Sequence, residues 1–510
     1  MHGHFIQKNT TEFWKTWKQQ YNSNKSCLHT VVNGATDKNA IVDSFKGHFV
    51  KVSQPNNHQR VQQLEDKFRK EYRDARETHT NCTCSTYKIT LENVLDATFS
   101  LKKGKCADDA LINAEHFFNA PLPLFDRIQR LLNCMLRHGH VPRQFQQGTI
   151  VPIVKDQHGD KGDMNNYCGI TIAPILSKIF EHALQIVFKP FLTTSQYQFG
   201  FKKKASTSHA IHFLKESVEY YTTHGSSVYC SFLDASKAFD RLVHAGLFLK
   251  LLRRNIPLIF LNVIISWYAN LTCCVRWGNA VSDWFVIKAG VRQGGILSPT
   301  FYCLYVDDLV EILAALNIGC HLKDIFQELL SATEEYCKSW DIMLNPKKSK
   351  NLFFGKKPSF PLALLKLDGN DIEWVDSWPY LGLTIRSHTT FKCCIDKKVK
   401  SFYHAANGIL RIEGRSNETV MLQLLESHCL PILTYCIDVI HVASRDERRR
   451  LRVAYNSLFR KVFDYRTWES VTELQHSLQR PTWEELLNDR QQRFHDRIAH
   501  CDITHRLPVP

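Results

Sequence analysis

The sequence predicts an α+β fold, with strands in the middle of the chain and helices towards both ends, on three observations. Val228, Cys230, Phe232 and Leu233 form a β-prone run that ends at Asp234. The residues after it change to helical spacing, with Phe239, Leu242, Val243, Leu247 and Leu251 recurring every three to four positions. Thr149–Lys155 and Met164–Ile172 read as two strands around the turn residues Asp160–Asp163, and residues 1–85 and 390–510 read as mostly helical.

At 510 residues the chain has room for about two to four domains. Its 44% apolar content supplies a sizeable core. A net charge of +15 and a pI near 9.0 suit a polyanionic partner, and leave a basic protein without one as the alternative. The 17 cysteines are scattered with no CxxC, and Cys82–Cys84, Cys273–Cys274 and Cys393–Cys394 lack zinc spacing. With no signal peptide they read as reduced thiols of an intracellular protein, with no disulfide-linked partner. His495, His500, Cys501 and His505 read as a solvated helix end, with zinc binding as the alternative. No apolar run reaches the roughly 20 residues that span a bilayer, so no membrane partner is expected. Ile256–Val275 and Leu430–Ala443 are broken by Asn262, Asn270, Asp438 and His441 and read as buried helices.

Taken in order, FWKTWKQQY places Phe13, Trp14, Trp17 and Tyr21 at helical spacing, and Ala40–Val50 places Ile41, Phe45 and Phe49 on one face. In Leu101–Ala120 (LKKGKCADDALINAEHFFNA), Asp108 and Asp109 read as an exposed helix start. Pro174–Phe188 reads as an amphipathic helix. Gln198–His209 (QFGFKKKASTSH) carries Lys202, Lys203 and Lys204, either a phosphate contact or a solvated face. Asp234 stands where a strand gives way to a helix. A carboxylate there projects from a rigid edge, which suits a divalent metal; a solvated strand end is the alternative. Gly290–Pro299 (GVRQGGILSP) puts a glycine-rich turn before another helix, and glycine lets backbone approach a ligand closely.

FLDASKAFD and GVRQGGILSP, in that order, resemble motifs A and B of non-LTR (LINE-like, jockey-like) retrotransposon reverse transcriptases. The resemblance implies a right-hand polymerase of fingers, palm and thumb. Its activity would be that of an RNA-directed DNA polymerase, a nucleotidyltransferase working on an RNA template and a DNA primer with two Mg²⁺ ions. It further implies that Asp234 holds the metals, that Phe239 stacks on the deoxyribose and excludes a 2′-hydroxyl, and that Gln293 and Gly294 line the nucleotide and template pocket. Lys155 matches a lysine that grips the triphosphate. Where the family has Tyr-Arg-Gly, this chain has Tyr167-Cys168-Gly169 and lacks that guanidinium. Lys202, Lys203 and Lys204 fall in the block that lies along the template. Met343–Gly355 resembles motif D, with Lys348 as the cation near the pyrophosphate. Trp378–Ile385 (WPYLGLTI) resembles the primer grip, with Tyr380, Leu381 and Gly382 turning backbone towards the primer end.

The family's motif C is a hairpin bearing an aromatic residue, any residue and two aspartates. Tyr305-Val306-Asp307-Asp308 copies those letters, but Tyr302, Val306, Leu309, Leu313 and Leu316 recur at helical spacing, with Asp307, Asp308 and Glu311 on the opposite face. The stretch ILSPTFYCLYVDDLVEILAAL therefore reads as one helix, and Asp307 and Asp308 as decoy carboxylates; their substitution for motif C is the rival reading. Beyond it, GCHLKDIF and a helix over Gln327–Trp340 leave Asp324 as the only carboxylate in the gap where the hairpin belongs. Two metals roughly 3.5–4 Å apart need several carboxylates, so an in-frame deletion of motif C leaves Asp234 without partners.

The expected organisation is a helical connector over residues 1–85, fingers and palm over 86–375, and primer grip, thumb and C-terminal helices over 376–510. The FWK…W segment resembles one that follows an endonuclease in jockey-like elements, so the chain is expected to start inside that connector. Arg448, Arg449, Arg450 and Arg452 with Tyr455 and Phe459 read as a nucleic-acid surface or a solvated helix face. The functional expectation is a reverse transcriptase domain made catalytically defective by the missing hairpin, or a non-catalytic RNA or RNA–DNA hybrid binding protein derived from it. The nucleus is the compartment the resemblance implies, without a clear signal in the sequence.

Overall fold

Side-chain caps and apolar periodicity set the first elements. Asp37 accepts from the Asn39 and Ala40 N–H groups and opens α1 (Lys38–Val52), which buries Ile41, Phe45 and Phe49. The computed structural model describes residues 31–78, 87–157, 159–202, 205–315, 322–356, 362, 364–413, 417–439 and 445–499. The Phe13–Tyr21 aromatics, Cys82, Cys84, Lys203, Lys204 and the cluster from His500 onward lie outside these residues. In α2 (His58–Thr78), Phe68 packs on Phe248 with ring centroids 5.6 Å apart. A reciprocal Thr90–Asn93 capping box starts α3 (Leu91–Phe99), and α4 (Leu122–His138) ends at the left-handed Gly139, φ +59°.

Strands β1 (Gln147–Val154) and β2 (Tyr167–Ile172) form an antiparallel hairpin with Thr149 opposite Ile172. Helix α5 (Ile175–Val187) follows. Its start corrects one expectation. Asp108 is not an exposed helix start: it is 6% exposed and accepts from the N–H groups of Ala110, Ile112 and Ile175. Asp109 accepts from Thr149 Oγ1 at 2.5 Å, and the next helix begins only at Ala114. Three backbone donors compensate the buried carboxylate better than one helix end would.

Helix α6 (Thr207–Thr223) leads into β3 (Val228–Phe232). The helix expected directly after Asp234 starts later, at α7 (His244–Arg253). Residues 235–243 are turns instead: the Ser236 N–H donates to the Met343 carbonyl at 2.8 Å and Lys237 adopts φ +50°. Bonds to a neighbouring segment outcompete local helical spacing there. Ile256–Val275 is likewise not all helix, dividing into α8 (Leu258–Ala269) and the buried strand β4 (Thr272–Trp277). Strand β4 runs parallel to β1 and antiparallel to β5 (Ala280–Val281) and β6 (Phe285–Val286), completing a five-stranded sheet of order β2-β1-β4-β5. Helix α1 covers this sheet, with Phe45 5.2 Å from Trp277.

Helices α9 (Ser298–Val306) and α10 (Asp308–Ala315) are joined by Asp307, which keeps helical angles of φ −64° and ψ −40°. Residues 316–321, outside the description, separate α10 from α11 (Leu322–Ser339). Strand β7 (Lys350–Phe354) pairs antiparallel with β3, setting Lys350 opposite Phe232. The short hairpin of β8 (Leu365–Leu367) and β9 (Asn370–Ile372) precedes a meander of β10 (Ser377–Tyr380), β11 (Leu383–Arg386) and β12 (Lys392–Cys394).

Helices α12 (Asp396–Glu413), α13 (Glu418–His428), α14 (Arg445–Val462) and α15 (Trp483–Ala499) pack around Phe402, Leu425 and Phe494. Tyr455 and Phe459 belong to that core at 1% and 0% exposure, so the arginines of α14 have no aromatic stacking partners from these two residues. Among the described residues of the Leu430–Ala443 stretch, the one helix is the five-residue Leu430–Thr434, so this stretch is not the single buried helix expected. Among the described residues no helix is long and apolar enough to cross a membrane, and the cysteines are free thiols.

Candidate active site

Asp234 sits just past β3, where the chain leaves its pairing with β7. Its N–H donates to Ser349 Oγ at 3.2 Å, and its carbonyl accepts the Asn345 N–H at 2.8 Å. The carboxylate is therefore presented from backbone fixed on both sides. Phe239, five residues on, stacks on Tyr302 at 5.1 Å and meets Phe201 edge-on at 5.7 Å. Burial pushes the Tyr302 phenol up to about 12, and the charge of Asp234 adds to that rise, so the two groups are neighbours.

The GVRQGG turn is held from four directions. The Gln293 amide donates to Asp240 Oδ1 at 2.5 Å, and the Gln293 carbonyl accepts from the Thr171 N–H at 2.7 Å. Burial raises the Asp240 carboxyl, and the Gln293 bond opposes that rise. Gly294 has φ +116°, and a Cβ there would stand 2.8 Å from the Thr171 carbonyl oxygen, so glycine is required. His244 bonds the Gly290 carbonyl through Nε2 at 2.8 Å, and burial pulls this imidazole down to about 4. Glu181 Oε2 accepts from the Ile296 and Leu297 N–H groups at 2.5 and 2.9 Å, at the start of α9, while Arg292 lies 3.9 Å from Glu181 Oε1. Asp240, His244, Glu181 and Arg292 were not singled out from the sequence; the second aspartate of FLDASKAFD is the one local signal that pointed to any of them.

The remaining site residues divide. Lys155 lies at the end of β1, with Nζ 3.0 Å from the Asn165 carbonyl, and its charge acts on Asp240. Tyr380 packs on Phe232 at 4.9 Å, which brings the β10–β11 turn against the strand that carries Asp234. In that turn Leu381 has φ +47° and Gly382 φ +80°, and Tyr435 Oη donates to the Leu381 carbonyl at 2.9 Å. Lys348 is exposed in the 3-10 turn Pro346–Lys348. Lys202 donates to the carbonyls of Thr194 and Ser195, so its ammonium stabilises the loop that carries it.

Asp307 and Asp308 are both engaged in ion pairs, with Arg254 and Lys250. Asp307, its side chain 3% exposed, accepts from Arg254, from the Ser195 N–H at 2.8 Å and from the Gln198 amide at 2.8 Å. Lys250, its side chain 2% exposed, donates to Asp308 at 2.5 Å and to Tyr336 Oη at 2.8 Å, with Nζ 3.9 Å from the Trp340 ring centroid. Asp324 lies on α11, its side chain outside the description.

Among the described residues no group of three His, Cys, Asp or Glu side chains could hold a metal ion. A pair of divalent cations needs several carboxylate oxygens converging on one spot. The donor set around Asp234 does not fit that pair.

Residues 159–385 match the family model for reverse transcriptase (RNA-dependent DNA polymerase). The "Probable RNA-directed DNA polymerase from transposon BS" of Drosophila melanogaster is 25% identical over 472 residues, covering 86% of this chain and 51% of the relative. The RNA-directed DNA polymerase from mobile element jockey of Drosophila funebris is 23% identical over 446 residues, covering 80% of this chain and 48% of the relative. The chain is similar to non-LTR retrotransposon reverse transcriptases over these stretches. It spans about half the length of the curated relatives it matches. A solved apo telomerase from Candida tropicalis, truncated from its C-terminal domain, aligns at 15% identity with a TM-score of 0.33, over 54% of this chain and 60% of that one. Asp234 and the GVRQGG turn both fall within the residues that match the reverse transcriptase family model, in a mixed α+β structure.

Proposed function

We propose that this chain is a non-LTR reverse transcriptase domain that holds an RNA template and a DNA primer without extending the primer. One observation carries the second half of that reading. Among the described residues Asp234 belongs to no group of three metal-ligating side chains, and β3, the strand that presents it, pairs only with β7. A hairpin of two ordinary strands needs roughly a dozen residues. The stretch between α10 and α11, residues 316–321, is shorter than that. Deletion of the hairpin that bears the paired aspartates accounts for both the missing ligands and the unpaired strand edge. Among the described residues Mg²⁺ then lacks the set of carboxylates that a metal pair needs, and it binds weakly.

Binding of nucleic acid is supported by other parts of the chain. The net charge is +15, Gln293 and Gly294 keep an ordered turn beside Thr171, and Phe239 remains stacked on Tyr302. Nuclear action is the matching expectation for a retrotransposon protein.

Primer extension by the purified chain on an RNA template with Mg²⁺ and deoxynucleotides tests the proposal, with hybrid affinity measured against salt in parallel. The expected result is no extension by the parent chain and salt-sensitive binding of the hybrid. Extension that disappears in both Asp234→Ala and the double variant Asp307→Ala/Asp308→Ala would overturn the defect. Absence of hybrid binding would overturn the holding role.

A further inference from the structure

A second surface stands outside the Asp234 cleft. Phe99, the last residue of α3, is 58% exposed, and its ring stacks on Phe118 with centroids 5.8 Å apart and planes at 15°. Buried Phe125, 6.4 Å away, holds Phe99 from beneath. Lys103 Nζ lies 5.5 Å from the Phe118 ring centroid, and Lys102 and Lys105 are exposed in the same loop. An exposed phenylalanine stacked on a half-buried one beside three lysines makes an unusual patch for a surface that meets only water.

Three acids of the segment that follows Phe99 are bonded within the protein. Gly104, at φ +70°, donates its N–H to Glu115 Oε1 at 2.5 Å, and that bond holds the Glu115 carboxyl below its ordinary range. Asp108 satisfies three backbone N–H groups, and Asp109 accepts from Thr149 Oγ1. Lys102, Lys103 and Lys105 face solvent next to the aromatic rings and outnumber the exposed Asp96 and Asp109. The segment is also rooted close to the site. Thr149 pairs with Ile172, and the neighbouring Thr171 N–H donates to the Gln293 carbonyl.

We propose that Phe99, Phe118 and the Lys102–Lys105 loop form a landing surface for single-stranded nucleic acid, where an unpaired base stacks on Phe99 and the backbone phosphates lie along the lysines. Aromatic faces accept any base, and ammonium groups neutralise phosphates without reading sequence, so the contact is sequence-tolerant. The inference rests on the reading of the chain as a template-holding domain and adds a site for template that is not yet paired.

Fluorescence anisotropy with the full chain tests it, using a blunt RNA–DNA hybrid and the same hybrid with a single-stranded template extension. The extension is expected to raise the parent's affinity. Phe99→Ala is expected to remove about tenfold of that gain while leaving the blunt hybrid unchanged, because one base–aromatic stack contributes about 1–3 kcal/mol. Phe99→Trp, which restores a ring, is expected to bind as the parent does. Replacing Lys102, Lys103 and Lys105 by Ala is expected to lower the salt slope for the extended hybrid by about 2. Equal affinity of the parent for both hybrids would overturn this inference alone; failure to bind the blunt hybrid would overturn the template-holding reading itself. A Phe99→Ala variant that keeps its preference for the extended hybrid but turns a dimer into a monomer would assign the patch to contact between copies of the chain.

Discussion

Removing the Asp307 carboxylate separates a structural ion pair from a metal ligand. The side chain is 3% exposed and receives three donors: the Arg254 guanidinium, the Ser195 N–H and the Gln198 amide. Taking one partner from a buried pair costs about 3–5 kcal/mol, because the other charge is left without compensation. The Arg254 side chain is 24% exposed and also donates to the Thr193 carbonyl at 2.9 Å, so water and that carbonyl recover part of the loss. Asp307→Ala is therefore expected at the lower end, about 3 kcal/mol. Asp308→Ala is expected to cost less, about 1–2 kcal/mol, although Lys250 is the more deeply buried cation. Burial already lowers the Lys250 pKa, so this ammonium can lose its proton when Asp308 is removed and keep its bond to Tyr336. Urea unfolding of the two single variants gives the magnitudes. The same Asp307→Ala change in an Arg254→Ala background is expected to cost less than about 1 kcal/mol, since the pair is then already broken. An Asp307→Ala chain as stable as the parent, but with lost nucleotide transfer or divalent-metal binding, would refute the ion-pair account.

Two further outcomes follow from the GVRQGG turn. His244 has its folded pKa lowered to about 4 by burial, against an ordinary value near 6.5, so between those values the unfolded chain binds more protons than the folded one. Stability thus rises with pH across that window and is lost on acidification; at pH 5 the loss is about 2 kcal/mol relative to pH 7, and a His244→Gln chain is expected to show a flatter dependence by urea midpoint. Glu181→Ala leaves the Ile296 and Leu297 N–H groups without their acceptor and Arg292 without a neighbouring carboxylate, so it is expected to destabilise by about 3 kcal/mol. Glu181→Gln, which keeps an acceptor oxygen, is expected to lose less than half of that in the same unfolding measurement.

Much of the local architecture was legible in the sequence because alternation and helical spacing are local properties. The β1–β2 hairpin, α5, β3, the turn at Leu381-Gly382 and the helical run through Tyr305-Val306-Asp307-Asp308 all follow from residues that are near neighbours in the chain. That last run matters most. Four letters that copy a catalytic box are overruled by the spacing of Tyr302, Val306 and Leu309, and the structure has helix there.

Partnerships across space were not legible. Spacing places Asp307 on the face opposite Tyr302, but only the packed fold brings Arg254, Ser195 and Gln198 to it and removes it from water. The sequence likewise makes Asp108 a plausible helix start, while the N–H groups of Ala110, Ile112 and Ile175 turn it into a buried anchor. Lys202 is one of three adjacent lysines by sequence and a ligand of two loop carbonyls by structure. Tyr455 and Phe459, interleaved with arginines along α14, face inwards because the other C-terminal helices supply a core to bury them. The sequence by itself carried the resemblance to reverse transcriptases, much of the order of elements and the positions of Asp234, Phe239, Gln293 and Gly294 along them. The tertiary structure decided which charged groups are paired. A buried charge takes whichever partner the fold presents within hydrogen-bond reach, and that partner is set by long-range packing rather than by any interval along the chain.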